Sequence, residues 1–241
     1  LTWPEHKLTT PQTEQFLALM QRRLQGEPIA YIVNMREFWS LPLQVSPATL
    51  IPRPDTEVLV ELVLNHHQDK VLRCLDLGTG TGAIALALAS EKPQWQIEAV
   101  DYSHDAVALA KSNADNLQLT QVTIYQSDWF SQVTANKGFD VIVSNPPYID
   151  EHDQHLNEGD VKFEPKTALV APDNGLADIK IIASQALKFL KPSGFLYIEH
   201  GFEQSHAVQT ILANLAYSNI QTIKDYGDND RVTFGCFTDK Q

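Results

Sequence analysis

The chain has 241 residues, 43% of them hydrophobic and 20% charged, with 11 Gly and 13 Pro scattered without a period; this globular composition excludes collagen-like, low-complexity and disordered classes. Lys and Arg number 18 against 30 Asp and Glu, a net charge of −12, so the body repels polyanions and direct nucleic-acid binding is not expected. No run approaches the roughly eighteen apolar residues of a membrane span and no secretory leader is legible, so a soluble, cytoplasmic protein with no membrane partner is expected.

Cys74 and Cys236 lie in separate apolar runs rather than at metal or redox spacing, which reads as two buried free thiols in a reducing compartment. The sequence opens at Leu1 rather than Met, which suggests that preceding residues have been removed. Residues 1–50 hold four charges of each sign, so the acidic excess belongs to the remainder. Five of its acids, Asp150, Glu151, Asp153, Glu158 and Asp160, cluster in a stretch with no Lys or Arg from 138 to 161. By default this is a solvated loop; its functional reading is a lip that attracts a basic protein surface.

In chain order, a first helix is capped by Thr10, has Pro11 at its start and Phe16, Leu17, Met20 and Leu24 at helical spacing, and stops at Gly26. Pro28 to Val45, with β-prone runs broken at Asn34 and Pro42, reads as a hairpin. A Pro-rich connector, Ser46 to Pro54, leads to a second helix over Asp55 to His66 capped by Asp55 or Thr56. The domain boundary is placed near residue 50, giving an N-terminal segment 1–50 and a main domain 51–241.

Beyond residue 70 apolar strand runs alternate with amphipathic helices, the pattern of βαβ units and a parallel sheet. Expected strands are Val71 to Leu77, Gln96 to Val100, Val122 to Gln126, Phe139 to Ser144, Gly194 to Glu199, Ile220 to Lys224 and Arg231 to Phe237. Expected helices are Ala83 to Ser90, Asp105 to Leu117, Gly175 to Leu190 and Glu203 to Leu215. Residues Tyr226 to Asp230 are too short a link for a parallel crossover, so the last strand should run antiparallel. The expected fold is therefore an α/β, Rossmann-like sheet of seven mostly parallel strands, with a small N-terminal helix and hairpin.

Four segments carry chemistry. Gly78, Thr79, Gly80, Thr81 and Gly82 join the first strand to its helix. Glycines there allow close approach of a ligand, and a helix N-terminus offers amide donors. Gly78, Gly80 and Ala83 also satisfy a dinucleotide-binding pattern. Asp101 closes the second strand, where a carboxylate can accept from both ribose hydroxyls of NAD or of S-adenosylmethionine. Asp128 and Trp129 follow the third strand and suit an adenine amino group and ring face.

Asn145, Pro146, Pro147 and Tyr148 follow the fourth strand. Asn-Pro-Pro alone makes a structural corner, which leaves the Asn and Tyr unexplained. The Asn side-chain oxygen and a neighbouring backbone carbonyl, stiffened by two proline rings, form a fixed pair of acceptors for the two hydrogens of a planar NH2 group, with the Tyr ring against its π-face. An oxidoreductase has no use for this arrangement.

Together these residues resemble a class I S-adenosylmethionine-dependent methyltransferase of the amino-methylating group. Ile51 to Glu57 before the sheet, and Phe163-Glu164-Pro165 with Ala168-Leu169 after the Asn-Pro-Pro-Tyr, resemble the glutamine-specific release factor methyltransferases (the PrmC/HemK family). The resemblance implies S-adenosylmethionine as cofactor and N5-methylation of the glutamine in the Gly-Gly-Gln motif of class I peptide-chain release factors, its protein partners. It implies substrate recognition by the N-terminal segment, which is shorter here than the helical domain usual in the family. Asn145, Pro146 and Tyr148 would be catalytic, Asn145 to Tyr148 substrate-binding, and Gly78 to Gly82, Asp101, Asp128, Trp129 and Asn145 cofactor-binding. No metal is expected, His152 and His155 among their acidic neighbours included. Arg53 and Glu57 stand as family markers whose role the sequence leaves open, ordering of the linker against the active-site loop being one reading. The alternatives are an adenine-N6 DNA methyltransferase, disfavoured by charge, and an NAD-dependent oxidoreductase, which leaves Asn145 to Tyr148 unused.

Overall fold

The computed structural model describes residues 5, 7–68, 70–134 and 138–238. Helix α1 (Thr10–Leu24) is capped by Thr9, not Thr10: Thr9 accepts from the Gln12 amide while the Gln12 side chain accepts from the Thr9 amide. Gln at the third helical position completes this reciprocal box only with Thr9, which moves the cap one residue upstream. Phe16, Leu17, Met20 and Leu24 all remain exposed.

The expected hairpin is half right. Ile29, Tyr31 and Val33 lie on a single helical turn, α2 (Ile29–Val33), which ends at Asn34 in the left-handed region. The Tyr31 hydroxyl donates to the Thr49 carbonyl at 2.8 Å, so a tertiary contact decided between strand and helix where the short apolar pattern could not. The hairpin itself is β1 (Met35–Phe38) against β2 (Leu41–Gln44). Its two-residue turn, Trp39 and Ser40, has positive φ at both positions, the backbone that matches strand twist. Glu57 holds this turn by accepting from the Trp39 amide at 2.8 Å.

A 3₁₀ turn, Pro54–Thr56, leads into α3 (Glu57–His66). Neither Asp55 nor Thr56 makes a side-chain cap there, because the tight turn already carries the chain into the helix. The sheet follows as β3 (Arg73–Leu77), α4 (Ala83–Glu91), β4 (Gln96–Asp101), α5 (His104–Asn116), β5 (Val122–Gln126), β6 (Phe139–Ser144), α6 (Pro172–Gly175), α7 (Ala177–Ala186), β7 (Leu190–Glu199), α8 (Ser205–Asn214), β8 (Tyr217–Lys224) and β9 (Asp230–Phe237). Spatial order is β5-β4-β3-β6-β7-β9-β8, with β9 antiparallel to both neighbours and the remaining pairs parallel. The seven expected strands are all present.

The largest boundary difference is at Gly175 to Leu190. Gly175 has φ +79, and a Cβ there would lie 2.0 Å from the Tyr148 carbonyl oxygen, so the chain turns before α7 begins. At the other end Leu190 pairs with Phe139 and starts β7.

One face of the sheet packs α3, α4 and α5, with Phe38 and Leu43 of the hairpin in the same cluster; the other packs α7 and α8. Strand order reverses between β3's two neighbours, which opens a crevice outside the strands' carboxyl ends. Among the described residues no helix is long and apolar enough to cross a membrane.

Asn113 on α5 ties hairpin to crevice. Its Oδ1 accepts from the Gln44 amide at 2.7 Å, and its Nδ2 donates to the carbonyls of Gln44 at 3.0 Å and Thr81 at 2.9 Å. Asn113 is 1% exposed, so Asn113→Ala strands buried backbone groups and should lower the unfolding free energy by about 2–3 kcal/mol. Denaturant unfolding measures that loss, and hydrogen exchange at the Gln44 amide should quicken with it.

Candidate active site

Register brings distant residues to one level. Leu77 pairs with Val100 on one side and Ser144 on the other, so the residues next in the chain, Gly78, Asp101 and Asn145, emerge side by side. They line a cavity of about 260 Å³ together with Thr79, Gly80, Thr81, Asp128 and Trp129. Gly82, Pro146 and Tyr148 are not among its lining residues. Gly82 has φ +85, and a Cβ there would meet Leu86 Cδ1 at 2.9 Å; its conformation starts α4.

The glycine loop departs from expectation in the direction of its amides. Gly78 and Thr79 both donate to the Val100 carbonyl at 2.9 Å, and Gly82 donates to the Thr79 carbonyl at 2.8 Å. Gly80 donates to Asp101 Oδ2 at 2.9 Å. These donors face the protein and are not offered to an anion. Beneath the loop Asp76 is fully buried and accepts from the Thr79 hydroxyl at 2.6 Å; burial pushes its carboxyl up to about 7.

The cavity's charge points the same way. Asp101, Asp128 and Asp178 line it, and no Lys or Arg is among the described lining residues. Burial raises the Asp101 and Asp178 carboxyls, the latter against a hydrogen bond with the Trp129 side chain. Three carboxylates with no cation suit a ligand that carries positive charge and do not suit a pyrophosphate. Thr49, also in the wall, has a buried hydroxyl with no hydrogen-bond partner among the described residues.

Asn145 donates through Nδ2 to the Thr56 hydroxyl at 3.2 Å, which leaves Oδ1 as its side-chain acceptor. The Tyr148 hydroxyl lies 3.5 Å from Glu199 Oε1, and burial, then the Glu199 charge, raises its pKa. Gln204 brackets the motif's end, donating to the Tyr148 carbonyl at 2.9 Å and the Asn174 carbonyl at 3.0 Å. Arg53 pairs with buried Glu164 at 2.6 Å, and Glu164 also accepts from the Ile51 amide at 3.2 Å. Burial raises the Glu164 carboxyl while Arg53 opposes it. The pair fastens the linker to the segment beyond the acidic loop.

Sequence reasoning missed Thr49, Thr56, Thr167 and Asp178 in the wall and Glu199 behind it. Threonines in linkers carry no pattern, and Asp178 reads as an ordinary residue of a helix's first turn. For Glu199, an acid closing an otherwise apolar strand run was the available signal.

Comparison with known proteins accords with this geometry. The Methyltransferase small domain matches residues 54–164, and the PrmC N-terminal domain matches 1–33. The release factor glutamine methyltransferase of Shewanella oneidensis is 58% identical over 97% of this chain and 82% of that relative. That of Escherichia coli is 56% identical over 98% of this chain and 84% of the relative. This chain belongs to the release factor glutamine methyltransferase family. A solved member of this family, the release factor-specific protein-(glutamine-N5) methyltransferase of Alicyclobacillus acidocaldarius, is 26% identical with TM-score 0.50, covering 81% of this chain and 99% of that one. A methyltransferase from Pyrococcus furiosus, 18% identical over 91% of this chain and 98% of its own with TM-score 0.63, shares the fold.

Asp76 makes stability depend on pH with a definite sign. Its native pKa is about 7 against roughly 3.9 for an unfolded Asp, so between these values the folded chain holds a proton that the unfolded chain has lost. Its contribution is full below about pH 4 and is lost as pH rises through 7. Asp76→Asn removes this proton, so the variant's stability relative to the parent should improve between about pH 5 and pH 7, by up to roughly 1.4 kcal/mol per pH unit. Urea unfolding across that range checks the slope.

Proposed function

We propose that this chain methylates, from S-adenosylmethionine, the side-chain amide nitrogen of the glutamine in the Gly-Gly-Gln motif of class I peptide-chain release factors. The observation that carries this reading is Asn145 at the wall of an acid-lined cavity with no Lys or Arg among its described lining residues, its NH2 tied to Thr56 and its oxygen left to accept. Relatives named for this activity at 54–58% identity support it.

When bound, S-adenosylmethionine supplies an electrophilic methyl on a positively charged sulfur. Asp101 is assigned to the ribose hydroxyls; each of its oxygens accepts one backbone amide, from Gly80 and Ser103, and retains a further lone pair. Asp128 is assigned to the adenine amino group and Trp129 to the ring, while Gly78 to Thr81 let the loop approach closely. The acidic wall favours the cofactor's positive charge.

An amide nitrogen is a weak nucleophile because its lone pair is delocalised. Asn145 Oδ1 and the Pro146 carbonyl are assigned to accept its two hydrogens and aim it in line with the methyl and the sulfur. Orientation of this kind is worth effective molarities of about 10⁵ M or more. As the N–C bond forms and the C–S bond breaks, nitrogen turns positive, so both acceptors bind it more strongly in the transition state than in the ground state. The N–H proton then leaves to water, with no dedicated base. Pro147 contributes to the wall, and Tyr148 is assigned to brace the motif through its hydroxyl and carbonyl.

The N-terminal segment is assigned to substrate docking. Arg23 at the end of α1 pairs with Asp160 of the acidic loop at 3.1 Å, which ties the helix to that loop. The loop's remaining acids would draw a basic release-factor surface, in a protein assigned to the cytoplasm. Association rates should therefore fall as salt rises; a flat salt series removes the steering role.

Labelled S-adenosylmethionine, offered in parallel with release factor, its Gln→Ala variant and duplex DNA, should label only the first. Labelled DNA would overturn the assignment in favour of adenine. Asn145→Ala should lower kcat by about 10²–10³ and leave cofactor affinity within about threefold, whereas Asp101→Ala should weaken that affinity by about tenfold or more. Calorimetry separates the two, and loss of cofactor affinity in Asn145→Ala would reverse these roles.

A further inference from the structure

Two prolines stiffen the Asn145 to Tyr148 bend and also deprive it of anchors. Each ring fixes one backbone dihedral, but neither residue has an N–H, so Pro146 and Pro147 cannot be tied down as donors. The bend is therefore held from its ends. Upstream, Ser144 pairs with Leu77 and Ile198 in the sheet. Downstream, the Ile149 amide donates to the Leu169 carbonyl at 2.9 Å, and the Ala171 amide donates to the Ile149 carbonyl at 3.0 Å. Between these ends the Tyr148 carbonyl needs a partner of its own.

Gln204 supplies it. This residue directly precedes α8, and its backbone carbonyl accepts from the Val208 amide at 2.9 Å, so its side chain starts from a fixed point. Its Nε2 donates to the Tyr148 carbonyl at 2.9 Å and to the Asn174 carbonyl at 3.0 Å, while its Oε1 accepts from the Gly201 amide at 2.8 Å. All three partners are backbone groups, whose polarity is fixed, so they select one of the two orientations of the carboxamide. Both NH2 hydrogens and the oxygen are engaged. One side chain thereby joins the segments that follow β6 and β7 to the turn before α7.

That turn is itself shaped for the contact. Asp173, Asn174 and Gly175 take positive φ in succession, 60°, 54° and 79°. Asp and Asn tolerate this region better than other residues that carry a Cβ, and such backbone persists only where surrounding contacts over-determine it. The turn brings Gly175 against the motif: a Cβ there would lie 2.0 Å from the Tyr148 carbonyl oxygen and 2.8 Å from Gln204 Nε2. A strained turn and a side chain with three backbone hydrogen bonds thus converge on one oxygen atom.

We propose that Gln204 is a positioning residue for methyl transfer: by holding the Tyr148 carbonyl against the Asn174 turn, it fixes the bend that aims the Pro146 carbonyl at the incoming amide. This inference rests on the assignment of Asn145 and Pro146 as acceptors and adds what keeps their bend in place. Gln204 is not among the described residues that line the cavity, so it acts through the motif and not on a ligand.

The test uses the full chain with release factor and S-adenosylmethionine. Gln204→Met keeps the side chain's length and removes its three hydrogen bonds; kcat should fall about 10- to 100-fold, with cofactor Kd and protein-substrate KM each within about threefold. Gln204→Glu, assayed at about pH 8.5 where a carboxyl is ionised, keeps the acceptor for the Gly201 amide but sets a carboxylate against two carbonyl oxygens. It should lose kcat at least as far as Gln204→Met, although a role in packing alone would spare it. Gly175→Ala displaces the same Tyr148 oxygen by another route and should lower kcat alike. Because both changes act on one carbonyl, the Gln204→Met, Gly175→Ala double variant should turn over within about threefold of the slower single variant. Parental kcat in folded Gln204→Met or Gln204→Glu overturns the proposal, as does a double variant in which the two losses multiply, or a Gln204→Met loss that falls on Kd or KM with kcat unchanged. If circular dichroism shows Gln204→Met unfolded, Gln204→Glu and Gly175→Ala decide, and parental kcat in either overturns the proposal. Asn145→Ala separates the two levels: parental turnover in it removes the acceptor assignment itself, whereas an inactive Asn145→Ala beside unaffected Gln204 variants removes only the present inference.

Discussion

Strand β3 is paired in parallel on both sides, and the rest of the site depends on that register. Leu77 lies opposite Val100 of β4 and Ser144 of β6, so three segments far apart in sequence leave the sheet at the same level and in the same direction. A parallel sheet presents all its carboxyl ends along one edge, and the reversal of strand order beside β3 leaves a crevice there. A slip of one residue in either pairing would turn each strand's side chains to the other face and carry Asp101 or Asn145 out of line with the glycine loop.

Within that crevice the loop's amides and the wall's charges act together. A Gly-rich turn after a first strand serves pyrophosphates when its N–H groups point outward. Here they are engaged by the Val100 and Thr79 carbonyls and by Asp101, while the wall holds Asp101, Asp128 and Asp178. The same glycine spacing therefore suits a cationic ligand rather than an anionic one. The discrimination lies in the direction of four hydrogen bonds, and the glycines supply only the space and the backbone freedom.

A short linker binds the parts into one unit. Arg53 reaches Glu164, Thr56 receives Asn145, and Glu57 holds the turn of the β1–β2 hairpin. Asn113 ties the same hairpin to the glycine loop through Gln44 and Thr81. Phe38 and Leu43 share the main hydrophobic cluster. The hairpin is thereby coupled to the geometry of the crevice, although sequence order places it outside the sheet.

The seven strands, the reversed last strand and the helices α4, α5 and α8 were legible in the sequence, because each is a local pattern whose period survives without knowledge of its partners. So were the glycine turn, Asp101 and Asn145, whose spacing relative to strand ends carries the information. The failures share a cause. Ile29 to Val33 alternates well enough for a strand and became a helical turn, and Thr56 carries no motif yet receives the Asn145 side chain. Sequence determined which groups could do chemistry at this strand edge, since residue type and local period are written in the chain itself. Tertiary structure alone decided which way each group points, because the direction of a hydrogen bond is set by a partner that lies tens of residues away.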